Sequence, residues 1–132
     1  MHTLVSSSRY RETLRSLLDA IADRGLTVFA QIDHASAARE IGMELADEVV
    51  LVFGNPRAGT PLMQEDPRIG IELPLRLLVW DDGNQTIVGY NDPRDLANLY
   101  GITRQAATLD VMSSLLAEIA YEAAAKADPG SG

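Results

Sequence analysis

The sequence has no cysteine. That removes disulfides, thiolate metal sites and cysteine nucleophiles together, and it fits a reducing compartment. Lysine is almost as scarce: Lys126 is the only one, and the arginines are scattered. Against 11 basic residues stand 19 acidic ones, a net charge of −8. Nucleic-acid binding depends on clustered Lys and Arg that neutralise phosphates. No nucleic-acid partner is therefore expected, and the acidity is read as a solubility device. No apolar run approaches the roughly 20 residues that a membrane helix needs. The start, Met1-His2-Thr3-Leu4-Val5, lacks a basic segment followed by an apolar one. The expectation is a cytoplasmic protein without membrane contact.

Catalytic signatures are also missing. There is no Gly-x-Ser-x-Gly and no Gly-x-x-x-x-Gly-Lys phosphate loop. With two histidines and no His-x-x-x-His or calcium-loop spacing, neither a metal nor a cofactor is expected. The paired carboxylates Glu65-Asp66 and Asp81-Asp82 sit before a proline and at a hairpin tip, so they read as solvated turn residues.

What is present is an ordinary globular composition, 46% hydrophobic and 23% charged over 132 residues. A chain of that length buries enough surface to fold without a staple. Tyr10, Leu14, Leu17, Leu18 and Ile21 form one helical stripe, with Ser7 or Ser8 as its cap and Gly25 as its left-handed end. Beyond Gly25 the period becomes two: Leu26, Val28, Ala30 and Ile32 alternate with Thr27, Phe29, Gln31 and Asp33, as in a strand. Asp33 can cap a short helix closed by Gly42, and Glu48–Phe53 is a β-branched strand. Thr60-Pro61 reads as a helix start and Asp66-Pro67 as a restart. Leu75–Trp80 and Thr86–Tyr90 flank Asp82-Gly83-Asn84, a hairpin signal. The last helix carries Leu109, Met112, Leu116, Ile119 and Ala123. Met43, Met63 and Met112 read as gap-filling core residues, and Trp80 as core or interface.

This order gives an α+β two-layer sandwich, a mostly antiparallel sheet with helices on one face. Residues 1–127 read as a single domain and 128–132 as an unstructured tail.

The set Phe53-Gly54-Asn55-Pro56, Gly59-Thr60, Leu62-Met63, Glu72-Leu73-Pro74, Val79-Trp80 and Tyr90-Asn91-Asp92-Pro93 resembles domain-of-unknown-function family 302. Ile32-Asp33-His34 with Ala38 and Gly42 fits the same pattern, and the resemblance runs over roughly residues 8 to 123. It implies a β-α-β(4)-α order similar to one repeat of the TATA-binding-protein fold, often paired as a homodimer. It implies no activity.

If the strands ending at Phe53, starting at Leu75 and ending at Tyr90 are antiparallel neighbours, three loops meet at one sheet end. A pocket there would offer Asn55, Arg57, Thr60, Tyr90, Asn91 and Asp92. A helix starting near Thr60 would favour an anion, with Arg57 or Arg94 as its partner. The plainer account is that Asn-Pro and Asp-Pro are strand exits, Thr60 a cap and Tyr90 a packed aromatic. His34 is the one histidine away from the start of the chain and could be a base or ligand, or simply a structural residue beside a capping Asp33. Three functions follow: a small-molecule-binding module, a homodimeric interaction module presenting Phe29 or Trp80, or an enzyme using Tyr90, Asp92, Arg57 or His34. The last has no nucleophile–base set behind it.

Overall fold

The computed structural model describes residues 1–125; the tail expected at 128–132 lies outside them. Strand β1 (His2–Val5) leads into helix α1 (Tyr10–Asp23). Arg9, in place of the expected Ser7 or Ser8, stands at the cap position of α1 and makes no side-chain cap bond. The turn is fixed instead by a buried hydroxyl pair, Ser6 Oγ and Thr13 Oγ1 at 2.6 Å, with Ser6 Oγ also accepting from the Ser8 N–H. Gly25 follows the helix at φ +67°, a conformation where a Cβ would be strained.

Strand β2 (Thr27–Asp33) is irregular where the alternating pattern suggested regularity. Val28 pairs with Phe53 and Ala30 with Val52, so Phe29 has no partner and forms a β-bulge. Because one extra residue shifts every later side chain to the other face, the apolar set divides. Val28 opposes Phe53 on the helix side, while Ala30 and Ile32 oppose Val52 and Val50 on the far side.

Asp33 then caps α2 (His34–Glu40), its Oδ1 accepting from the Ser36 N–H at 2.8 Å. Strand β3 (Glu48–Gly54) runs into α3 (Pro56–Glu65). The expected start at Thr60 is wrong. Asn55 is the cap, accepting from the Arg57 N–H at 3.0 Å, and Thr60-Pro61 lies within the helix. Asn55-Pro56 supplies both a better cap and an N1 proline. Asp66 restarts the chain as a 3-10 helix, Pro67–Glu72, accepting from the Arg68 N–H.

Strands β4 (Leu75–Asp81) and β5 (Thr86–Tyr90) form the hairpin. Its tip is held as expected by carboxylates: Asp81 accepts from the Gly83 N–H, and Asp82 from those of Asn84 and Gln85. Helix α4 (Asp95–Tyr100) and the long α5 (Ala106–Ala125) complete the fold.

The sheet is antiparallel throughout, in the order β1-β5-β4-β3-β2. Helices α1 and α5 pack on one face, giving the α+β sandwich. Val49, Leu51 and Phe53 pair with Val79, Leu77 and Leu75 and join Leu17, Ile21, Leu109, Leu116 and Ile119 in one buried cluster. Burying each such side chain contributes roughly 1.5–3 kcal/mol. The alternate residues Val50, Val52, Leu78 and Trp80 stay half-buried on the other face, beside the more exposed Val5 (56%) and Ile32 (47%).

Candidate functional site

The three loops do converge. Phe53 pairs with Leu75, and Leu78 with Gly89, so the exit of β3, the entry of β4 and the exit of β5 share one end of the sheet. A cavity of about 280 Å³ opens there. Helix α3 contributes Ala58, Gly59, Thr60 and Met63, and α5 contributes Val111, Met112 and Leu115. The loop before β4 adds Gly70, Leu73 and Pro74, and the edge of the sheet adds Leu26 and Phe29. Among the described residues, no ionisable side chain lines it.

The bulge explains why Phe29 reaches this cavity: the extra residue re-aims the side chain out of the strand's alternation. Phe29 is 53% exposed, Met63 38% and Val111 68%, an apolar rim around the opening. Glycine lets a neighbouring side chain close on the backbone at two further points. A Cβ at Gly70 would stand 3.2 Å from Met63 Sδ, and one at Gly59 3.6 Å from Leu73 Cδ1.

The residues anticipated for one pocket divide between two. Asn55 and Thr60 line the cavity. Asn91 and Asp92 line a neighbouring cleft of about 80 Å³ with Glu72, Arg76 and Leu96. Leu73, Leu75 and Met112 border both and separate them. Arg57 and Tyr90 line neither. Arg57 sits exposed in the first turn of α3. The Tyr90 ring stacks on His2, centroids 5.4 Å apart and planes 15° apart. His34 is the exposed first residue of α2 and lines neither space. Among the described residues, no group of three or more His, Cys, Asp or Glu is placed to hold a metal ion.

Asp92 is the most constrained polar group at this end. It is 8% exposed and receives the Arg94 guanidinium through Nε at 3.0 Å and Nη2 at 2.6 Å, together with the Arg94 backbone N–H. The Arg94 side chain, then its backbone N–H and the Ser113 hydroxyl, hold the carboxyl well below the usual carboxylate range against the opposing effect of burial. Burial, then the Asp92 charge, raises the Tyr90 phenol. Asp92 is thus committed to Arg94, which suits an anchor more than a proton acceptor.

Glu65 ties the walls of the cavity together. At the end of α3, its carboxylate accepts from the backbone N–H of Thr103 (2.8 Å), Arg104 (3.3 Å) and Gln105 (2.8 Å), just before α5. Those donors, Thr103 foremost, lower its pKa.

Sequence reasoning missed Phe29, Leu73, Val111 and Leu115 as lining residues, and assigned Met63 to the core. A bulge leaves no local mark, and α5 shows the cavity the flank of a stripe whose centre is buried. His2 was missed because its place opposite Tyr90 comes from β1–β5 pairing across nearly ninety residues of chain.

Comparison with known proteins follows the same outline. A crystal structure of an uncharacterized conserved protein from Bacillus stearothermophilus superposes with a TM-score of 0.84, covering 92% of this chain and 96% of that one at 21% identity. It shares the fold. Two curated relatives, each named fluoride-specific ion channel FluC 1, from Brucella suis and Brucella abortus, are 36% identical over 101 residues, 76% of this chain. The chain spans only 40% and 37% of their respective lengths. No helix among the described residues is long and apolar enough to cross a membrane. Residues 2–119 match a family model, and the chain belongs to that family, described as domain of unknown function DUF302.

Proposed function

We propose that this domain is a small-molecule-binding module whose ligand occupies the cavity between α3, α5 and the bulged edge of β2. The observation that carries this is a half-open cavity of about 280 Å³ with an apolar lining and no ionisable side chain among the described residues, close to the lower end of ligand pockets at roughly 300–1,000 Å³. An anion finds less support. Of its expected partners, Arg57 does not line the cavity and Arg94 is engaged by Asp92. Catalysis by Tyr90, Asp92, Arg57 or His34 finds least, since these residues do not converge on one space. The absence of cysteine favours a cytoplasmic setting.

Native mass spectrometry of protein purified gently from its own cells tests this. A retained mass that disappears on denaturation is expected. Ligand-free protein that also shows no amide shifts around the cavity with millimolar indole overturns it.

A second reading, a homodimer, is favoured by the sheet face that α1 and α5 leave uncovered. Val50, Val52, Leu78 and Trp80 lie there, and a monomer rarely leaves a large apolar patch in water. Glu48 stands beside Trp80 at one end of the face, and Arg76, whose Nη2 is 3.6 Å from Glu72, stands beside Val52 at the other. A second copy turned by a two-fold axis would set Glu48 against Arg76 twice. Leu78→Lys should convert a dimer into a folded monomer in analytical ultracentrifugation. A wild-type chain that is monomeric at 100 μM, or a Leu78→Lys chain that stays dimeric, would count against this.

A further inference from the structure

Resting on the pocket reading above, we infer the chemical class of the ligand: a neutral molecule of one or two rings with a single hydrogen-bonding group, anchored at Thr60. Size sets the first bound. An apolar cavity of about 150 Å³ is enough for benzene, so about 280 Å³ leaves room for a fused second ring or a short substituent. It does not accommodate a long chain.

Charge sets the second bound. A carboxylate or ammonium buried inside this lining would lose its water and meet no charged partner, because no ionisable side chain among the described residues lines the space. Shape sets the third. Gly59 and Gly70 let Leu73 and the Met63 thioether pack against the backbone, which sets the Met63 sulfur in the cavity wall. Thioethers and phenyl rings both make favourable contacts with aromatic faces or edges, and Met63 and Phe29 are the residues at the rim.

The polar anchor follows from what remains. Asn55 is held as the α3 cap through Oδ1, which accepts from the Arg57 N–H, and its Nδ2 can only donate. Thr60 lies on the cavity side of α3 and is exposed. Its hydroxyl can donate or accept, so it selects for the presence of one polar group without fixing its type.

The test uses the intact protein, ¹⁵N-labelled, titrated with indole, 1-methylindole and indole-3-acetate at pH 7, with and without Thr60→Val. Indole should shift amides of Gly59, Gly70 and Leu115 and bind at least tenfold more tightly than indole-3-acetate. In wild type, indole should gain about two- to tenfold over 1-methylindole through its N–H, relative to their ratio in Thr60→Val. An indole-3-acetate affinity equal to or above that of indole overturns the neutral class but leaves the pocket standing. An unchanged indole to 1-methylindole ratio in Thr60→Val overturns the anchor. No shift at those amides with any of the three overturns the pocket itself. Comparing the ligands on wild type alone keeps the charge test valid even if Thr60→Val does not fold.

Discussion

Two carboxylates, Asp92 and Glu65, hold most of the hydrogen bonds around the loop-rich end, and each has a pKa below its ordinary value. For such a group, the stabilising contribution is complete above the unfolded pKa and is lost as pH falls through the folded one. Urea unfolding between pH 7 and pH 2 should therefore show stability declining below about pH 4, where the Asp92 contribution begins to fade. Asp92→Asn should cost about 1–3 kcal/mol at pH 7, because Arg94 and Ser113 keep an acceptor but lose its charge. The same substitution should flatten the acid limb; an unchanged limb would assign it to other groups. Glu65→Gln should lower the Tm and speed amide exchange at Thr103 and Gln105, whose N–H groups would lose a charged acceptor. At this scale the sequence was legible where chemistry is local. Asp33, Asp66 and Asp82 each cap the turn that follows them. It was illegible where partners come from far along the chain, as with Glu65 and Thr103 or His2 and Tyr90.

Helices α1 and α5 and strand β2 could be read from periodicity, because one face repeats at 3.6 or two residues; β3 was read from its β-branched run, and β4 and β5 from the turn residues between them. The errors fell where two signals competed. Asn55-Pro56 and Thr60-Pro61 are both respectable helix starts, and the first wins because the chain leaves β3 at Gly54 already able to turn. In β2, strict alternation hid the bulge, since Phe29 is apolar on either face. The register itself predicts a clean experiment. Val28 and Ala30 pair with consecutive residues of β3, so deleting Phe29 should leave a continuous ladder. The deletion variant should fold with an unchanged far-UV circular dichroism spectrum and lose indole binding at least tenfold. Collapse of the fold would show that β2 needs the extra twist of the bulge.

Composition alone placed the whole molecule in its class, with enough apolar residues for a core. The sheet's uncovered face was foreseen only in part: Trp80 read as core or interface, whereas Val50 lies in an apolar run whose two faces look alike. If two copies meet there, Glu48→Arg alone should weaken the dimer several-fold at low salt. Glu48→Arg combined with Arg76→Glu should restore it, since the swap preserves the pairing of unlike charges. Sedimentation at two ionic strengths separates this from simple loss of apolar contact, which salt would not relieve.

The Ser7 N–H donates to the Ala124 carbonyl at 2.8 Å, so the first and last elements of the fold finish side by side. His2 lies at the other end of β1, opposite Tyr90, so a bridge from residue 125 back to it must run the length of that strand, about 16 Å. Joining residue 125 to residue 2 through a glycine-serine bridge of that span and opening the chain at the exposed Asp82-Gly83-Asn84 tip should give a circular permutant that still folds. The strand order would be unchanged, with β4 and β5 meeting as former neighbours in sequence now held together only by their ladder.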